Sequence, residues 1–209
     1  MKIYDWHIAP NPRRLTIYLA EKGIEVERVE VSGEGFALQP AYLARYPHAM
    51  VPMLELDDGT LIGEVMAIAR YFEELHPEPP LMGVNARDRA LVDMWERRAN
   101  EEGMLAASEL FRNTHESFAL RGLPGSAESV PCIAALAERG RARLQRFFTK
   151  FDAQLAEHEF VAGERYSVAD ITALCGVDFA KWSAVEIPPE CSHLRRWHAA
   201  VSARPSAKA

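Results

Sequence analysis

The feature that most constrains the fold is a change of pattern at the proline-rich segment of residues 76–83, HPEPPLMG. Before this segment, short β-branched runs that predict strands alternate with amphipathic helical patterns. After it no strand pattern occurs, and residues 87–118, 132–157 and 192–203 predict helices. The chain therefore predicts an α+β arrangement, in which a mixed layer structure is followed by an all-α part.

The first part is predicted to begin with strand, helix, strand and helix. Residues 2–6 predict a strand, and Asn11 before a proline predicts the cap of the following helix. Gly23 is placed as the C′ residue that ends this helix. A second strand is predicted at residues 25–31 and a short helix at residues 40–45.

A hairpin and a helix are predicted to complete the first part. Residues 51–56 and 60–62 predict two antiparallel strands, because the Asp-Gly between these apolar runs is a strong hairpin signal. The helix that follows is predicted over residues 64–75. The element order is then β-α-β-α-β-β-α.

The change of pattern predicts two domains. We expect one domain at residues 1–78, a linker at residues 79–86 and an all-helical domain at residues 87–209. Within the helical domain, Ser167 and Asp170 have the spacing of a capping box, in which each side chain accepts from the other residue's backbone N–H.

The charge and hydropathy patterns argue against two classes of partner. The 209 residues carry a net charge of −6 with both signs interspersed, whereas a nucleic-acid partner favours a basic stripe. No apolar run approaches the ~18 residues of a membrane span. We therefore expect neither a nucleic-acid nor a membrane partner.

The cysteines predict no metal site. Cys132, Cys175 and Cys191 lie far apart and form no CxxC motif, so neither a zinc pair nor a dithiol redox centre is expected. The N-terminus lacks the apolar stretch of a signal peptide. These observations predict a reducing, cytoplasmic location.

Several sequence motifs, spread over nearly the whole chain, resemble the cytosolic glutathione transferases. They are PNPRRLTIYLAEKGI, VPMLELDDGTLIGE, AIARYFEELHP, GERYSVADI and RWHAAVSARPSA. The resemblance implies a thioredoxin-like N-terminal domain, glutathione as co-substrate, a small hydrophobic electrophile and no metal. It also implies a homodimer, with the helix after Glu64 near the interface.

The resemblance implies a glutathione site at two positions. Pro52 matches a cis-proline that turns the N–H and C=O of Val51 toward the cysteinyl backbone of glutathione, and Met50 precedes this pair. Glu64 matches the acid that faces the γ-glutamyl ammonium group. Val65 supplies a backbone N–H for the γ-glutamyl carboxylate, because a helix N-terminus favours an anion.

The chain departs from the family pattern at four places. Ala9 stands where most members have Tyr, Ser or Cys, and Val65 stands where Ser or Thr is usual. Met50 replaces Lys or Gln, and Ala37 and Leu38 replace polar residues. Each missing contact corresponds to ~1 kcal/mol. Either glutathione binds weakly, or other polar groups substitute. The candidates are His7, Arg13, Arg14 and His48.

Asn11 is the candidate catalytic residue. Its NH₂ group could donate to the glutathione sulfur at the mouth of the first helix, and some bacterial nu-type members have Asn or Thr at this place. The alternative is that Asn11 only caps the helix. Both hold if the amide oxygen makes the cap.

The electrophile pocket is predicted between the end of the first strand and the long helix near residues 95–118. His7, Phe111, His115 and Phe118 are the candidate lining residues. Asn100, on the same helix, could reach the γ-glutamyl group across a dimer.

The leading functional hypothesis is a glutathione transferase, in which the thiolate attacks an electrophilic carbon or a disulfide. One alternative is a catalytically weak transferase-like binding or regulatory protein, which the missing Ser or Tyr at the thiol position and the changes at Met50 and Leu38 favour. The other is a glutathione-dependent disulfide-bond reductase, which the Asn11 pattern suggests.

Overall fold

A four-stranded mixed sheet forms the N-terminal part of the computed structural model, which describes residues 1–33, 38–125 and 128–209. The strands are β1 (Lys2–Asp5), β2 (Glu27–Glu30), β3 (Met53–Glu55) and β4 (Leu61–Gly63). They lie in the order β2-β1-β3-β4. β2 is parallel to β1, whereas β3 is antiparallel to both β1 and β4.

Eight α-helices accompany the sheet in the described residues. They are α1 (Pro10–Lys22), α2 (Pro40–Arg45), α3 (Val65–Leu75), α4 (Ala86–Arg98), α5 (Leu105–Arg112), α6 (Ala134–Glu157), α7 (Val168–Lys181) and α8 (Ser192–Ser202). A π-helical segment, Ala99–Met104, joins α4 to α5, and 3-10 turns occupy Glu116–Phe118 and Pro205–Lys208. The predicted order β-α-β-α-β-β-α followed by helices alone is confirmed. The division into two domains at residues 79–86 stays a prediction.

Strand alternation explains why the sheet is covered on both faces. Neighbouring side chains of a strand point to opposite faces. Ile3 and Leu54, which are register partners, belong to the large core that also contains residues of α1 and α3. Tyr4 and Met53 belong to a smaller core that also contains Tyr42 of α2.

The start of α1 corrects one prediction. The helix begins at Pro10, Ala9 is its N-cap, and no side chain caps it. A proline suits the first helical position because its missing N–H has no acceptor there in any case. Asn11 is therefore inside the first turn, and its assignment as the cap is wrong. Gly23 ends the helix in the left-handed conformation at φ 64°, as predicted.

The predicted helix at residues 87–118 is divided. α4 ends at Arg98, the π-helical segment follows, and α5 ends at Arg112. Gly103 lies in the π-helical segment, where an added Cβ would be 3.0 Å from the Phe147 ring. Glycine is a poor helix former, so close packing rather than local preference determines the backbone here.

Ion pairs join the N-terminal part to the helical part. Arg204, near the C-terminus, holds both carboxylate oxygens of Glu21 at 2.7 Å, and Arg13 donates to Asp178 at 2.8 Å. The predicted capping box at Ser167 and Asp170 is present at the start of α7. No helix in the described ranges is both long enough and apolar enough to span a membrane.

Candidate functional site

A cavity of about 520 Å³ lies between the N-terminal part and the helical part. The start of α1 contributes Ala9 and Asn11 to its wall, and the segment before β3 contributes Met50 and Val51. Phe111 of α5 lines the side that faces the helices. The structure thus brings together three of the residues predicted for the glutathione site and two predicted for the electrophile pocket, Phe111 and Phe118.

The segment before β3 presents an unpaired backbone to this cavity. The Val51–Pro52 peptide is cis, as the resemblance implied. The N–H and C=O of Val51 have no hydrogen-bond partner among the described residues. The Tyr42 hydroxyl donates to the C=O of Met50 and so fixes the segment from behind. Pro52 is buried and does not line the cavity.

The start of α3 lies outside the cavity lining. Glu64 is the N-cap residue at φ 64°, a region that few residues other than glycine adopt, and its side chain is exposed. Burial and the Glu64 carboxylate raise the pKa of Tyr46. Burial lowers the pKa of Arg14, and the charge of the same carboxylate opposes this effect. The Arg14 side chain in turn contacts Asn11 on the cavity wall.

The first turn of α3 has the free donors of an anion site. The N–H groups of Val65 and Met66 have no acceptor in the described part of the chain. The Val65 side chain is only 6% exposed and packs in the core. Any polar contact at Val65 is therefore made by its backbone N–H and not by its side chain.

Arg14 is the centre of a buried polar network. Its side chain is almost fully enclosed, since the residue is 4% exposed. Nη2 donates to Glu96 Oε1 at 2.6 Å, and Nε donates to Thr172 Oγ1 at 3.2 Å. Nη1 donates to two amide oxygens, Asn11 Oδ1 at 3.0 Å and Asn100 Oδ1 at 3.1 Å.

This network determines which way both amides point. A guanidinium group has only donors, so an amide that contacts it must present its oxygen. The NH₂ groups of Asn11 and Asn100 consequently face away from Arg14, and both residues line the cavity. Neither NH₂ group has an acceptor within the described residues. The cavity therefore contains two oriented neutral donors. The sequence indicated Asn11 as a donor to the thiol, but Asn100 only as a contact to the γ-glutamyl group across a dimer.

The two histidines predicted for the electrophile pocket do not line this cavity. The His7 side chain is 76% exposed and lies 3.1 Å from the Glu30 carboxylate, at the end of the neighbouring strand. His115 Nδ1 accepts from the N–H of Ser117, and its ring packs against Phe111 at 4.9 Å between centroids. The prediction that both histidines line the pocket is therefore corrected.

Phe118 lines the helical wall, as predicted. Sequence reasoning missed several other residues of this wall, among them Ser108, Arg112, Arg121, Phe179 and Trp182. Phe179 lies on α7 and Trp182 directly follows it. The apolar pattern of α7 indicates ordinary core packing and gives no sign of a pocket. Arg112 directly follows Phe111, and this adjacency was the only available signal. Leu38 lines the opposite wall, and Ala37 lies outside the described residues.

The substitute polar groups considered from sequence are mostly engaged elsewhere. Arg13 pairs with Asp178, and the His48 ring packs against Tyr46. Arg14 acts through Asn11 and Asn100. The described residues contain no group of three or more His, Cys, Asp and Glu that could hold a metal ion. The three cysteines are unpaired.

Comparison with known proteins identifies the family. The model of the glutathione S-transferase N-terminal domain matches residues 3–80, and that of the C-terminal domain matches residues 132–205. Glutathione S-transferase 2 of Saccharomyces cerevisiae is 34% identical over 215 residues, which cover 100% of this chain and 88% of the yeast protein.

Solved structures agree over the full length. A glutathione S-transferase domain-containing protein of Marinobacter aquaeolei VT8 is 38% identical, with a TM-score of 0.86 and 99% of each chain covered. Gtt2 from Saccharomyces cerevisiae is 33% identical, with a TM-score of 0.89, and the match covers 100% of this chain and 99% of the yeast chain. The chain therefore belongs to the glutathione S-transferase family.

Proposed function

We propose that this protein is a glutathione transferase that uses Asn11 and Asn100 together to stabilise the glutathione thiolate. The observation that carries this mechanism is the contact of Arg14 Nη1 with both amide oxygens, which turns two NH₂ groups toward one cavity. The named glutathione S-transferase relatives support the activity. They give no support to a binding protein without turnover or to a disulfide-bond reductase.

Glutathione binds along the N-terminal side of the cavity. The N–H and C=O of Val51 pair with the cysteinyl backbone, because both groups lack a partner in the described chain. The γ-glutamyl carboxylate accepts from the free N–H groups at the start of α3, where the helix dipole also favours an anion. Glu64 faces the γ-glutamyl ammonium group. Met50 contributes only apolar contact.

The two amides and the helix can make the thiol acidic enough to react. A free thiol has a pKa of ~8.5, and one pKa unit corresponds to about 1.4 kcal/mol. Two hydrogen bonds from neutral donors contribute ~1 kcal/mol each, and the N-terminus of α1 contributes ~0.3–1 kcal/mol. Together they lower the thiol pKa by roughly two units. Most of the bound glutathione is then thiolate at neutral pH.

The reaction is a nucleophilic substitution or addition on an electrophile held against the helical wall. The thiol proton passes to solvent, and the sulfur lone pair forms the new bond to carbon. In a substitution the leaving group departs with the electron pair of the broken bond. Phe111, Phe179 and Trp182 provide the apolar surface for the electrophile.

The protein functions as a homodimer in the cytoplasm, with α3 near the interface. The homodimer follows from the family resemblance, and the cytoplasmic location follows from the unpaired cysteines. Light scattering on the purified chain tests the first of them. A mass of one chain at micromolar concentration would contradict the dimer.

Calorimetric titration with glutathione tests the proposed function, followed by a turnover assay with a neutral chloronitrobenzene. We expect binding tighter than millimolar and release of chloride at a rate above the uncatalysed reaction. S-methylglutathione is the matched ligand, because it keeps the backbone contacts but has no thiol. Absence of glutathione binding, or binding without turnover, would contradict the proposal.

A further inference from the structure

Two arginines line the end of the cavity that faces the helices. Arg112 is the last residue of α5, and Arg121 belongs to the segment after it. Both guanidinium groups lie against the ring of Phe118, with distances to its centroid of 4.5 Å and 5.0 Å. No Asp or Glu occurs among the described residues that line the cavity. This end is therefore cationic in a chain whose net charge is −6.

The side chain of Arg112 has no carboxylate partner in the described ranges. The one hydrogen bond that this side chain makes to described residues runs from Nη1 to the C=O of Arg121 at 2.9 Å. Other buried or partly buried arginines of the chain do have such partners. Examples are Arg13 with Asp178, Arg14 with Glu96 and Arg204 with Glu21. Burial and the neighbouring charge of Arg121 lower the pKa of Arg112 to about 10.

We propose that Arg112, with Arg121 beside it, binds an anionic group of the electrophile, so that the substrates are carboxylate-bearing aromatic or unsaturated compounds. This inference rests on the proposed glutathione transferase activity and adds the substrate class. The same cavity provides rings on Phe111, Phe179 and Trp182 for the apolar body of such a compound.

The chemistry of a guanidinium group suits this assignment. Its planar donors match a carboxylate in two parallel hydrogen bonds, and Arg112 uses only one of its five N–H groups on the described protein atoms. An anion between the two arginines also offsets their mutual repulsion, which is stronger in a cavity of low polarity than in water.

A purely structural role for Arg112 predicts a different result. Its hydrogen bond to Arg121 ties the end of α5 to the following segment, and Cys132 Sγ donates to the Arg112 C=O at 3.1 Å from the segment's far end. Loss of such a tie would impair every electrophile equally. The two roles are therefore separated by comparing an anionic electrophile with a neutral one that has the same reactive centre.

The experiment uses 4-chloro-3,5-dinitrobenzoate and its methyl ester with the purified wild-type protein. In both compounds the thiolate forms a C–S bond at the carbon that bears chlorine, and chloride leaves with the electron pair of the C–Cl bond. Each kcat/KM is divided by the uncatalysed rate constant with glutathione, which removes the difference in intrinsic reactivity. We expect the normalised ratio of acid to ester to exceed ten.

Three variants assign the preference to Arg112. In Arg112→Gln we expect the normalised ratio to fall at least tenfold, and in Arg112→Lys we expect an intermediate ratio because the charge remains. Arg146→Gln is the matched control, since Arg146 is exposed on α6 and its loss removes the same net charge. Its ratio should equal that of the wild type.

The outcomes separate the substrate class from the transferase activity. Turnover of the ester without preference for the acid in the wild type overturns this inference and leaves the transferase intact. An Arg112→Gln ratio within twofold of the wild-type ratio, or an Arg112→Lys ratio no higher than that of Arg112→Gln, overturns it as well. If the protein turns over neither compound, the proposed function itself is overturned. If Arg112→Gln does not fold, the wild-type and Arg112→Lys ratios still decide.

Discussion

Arg14 Nη1 lies 3.0 Å from Asn11 Oδ1, and this hydrogen bond converts a residue at the start of α1 into an oriented donor. The amide could otherwise rotate and present its oxygen to the cavity. A guanidinium group cannot accept a hydrogen bond, so the reverse orientation would leave a donor facing a donor. The contact with Asn100 Oδ1 at 3.1 Å fixes the second amide by the same means.

The first prediction concerns the energy of this network. Arg14→Met should destabilise the fold by ~3–5 kcal/mol, because it leaves the Glu96 carboxylate buried without its partner. Arg14→Met combined with Glu96→Leu should recover much of that loss, since no buried charge remains. Denaturant unfolding of the wild type, both single variants and the double variant measures this. Equal instability of Arg14→Met and the double variant would contradict the assignment.

The same double variant tests the positioning role of Arg14. Without the guanidinium group the two amides are free to rotate, so the pKa of the thiol in bound glutathione should rise even though the fold is restored. Ultraviolet absorbance of the bound thiolate, followed against pH, gives this pKa. A stable double variant with an unchanged thiol pKa would mean that Arg14 only holds the fold together.

The second prediction concerns the donors themselves. Asn11→Ala and Asn100→Ala should each raise the pKa of the bound thiol by roughly 0.5–1 unit, the equivalent of one neutral hydrogen bond. The thiolate absorbance titration measures both variants. Asn85→Ala is the matched control, because Asn85 caps α4 by accepting from the N–H of Asp88 at 3.0 Å. It should lower stability by ~1 kcal/mol without moving the thiol pKa.

The local features of this fold were predictable from sequence. The hairpin after β3, the left-handed Gly23 and the capping box at Ser167 and Asp170 each depend on residues a few positions apart. These local predictions hold in the structure because tertiary packing there agrees with the local preference of the residues. The start of α1 was misassigned by two residues because two prolines flank Asn11, and either could take the first helical position.

The candidate site was predictable only where its residues lie close in sequence. Met50, Val51 and Asn11 could be proposed from local motifs, and the structure brings them to one cavity. The hydrogen bond that orients Asn100 joins residues 86 positions apart, and no periodicity encodes it. His7 and His115 were chosen for their chemistry near the expected site. Neither side chain lines the cavity, because strand register and the turn after α5 determine where each one lies.

The third prediction concerns the γ-glutamyl subsite. Glu64→Ala should weaken glutathione binding at least tenfold (~1.4 kcal/mol), because the ammonium group loses its counter-charge. Glu64→Gln is the better-matched variant, since it keeps the side-chain length while removing the charge, and the backbone at φ 64° is equally unfavourable for all three residues. Calorimetry measures both variants. Unchanged affinity in Glu64→Gln would place the ammonium group elsewhere.

The fourth prediction concerns the acid stability of the contact between α1 and α7. Burial opposes ionisation of Asp178, but hydrogen bonds from His198 and Lys181 and the charge of Arg13 hold its pKa well below the usual range. A carboxylate whose pKa is lowered in the folded state stabilises the protein above its unfolded pKa of ~3.9. That contribution is lost as the pH falls below this value, because the unfolded chain then binds the proton first.

Asp178→Asn should therefore lower the free energy of unfolding at neutral pH. Between about pH 4 and pH 2 the free energy of unfolding of the variant should fall less steeply than that of the wild type. Urea unfolding at a series of pH values measures the slope. Asp93→Asn is the control, because the Asp93 side chain is 56% exposed and its ion pair with Arg70 spans 4.0 Å. An exposed pair of this kind contributes ~0–1 kcal/mol, so the control should keep the wild-type slope. A wild-type slope in Asp178→Asn would show that other carboxylates govern the acid limb and that the α1–α7 ion pair is dispensable there.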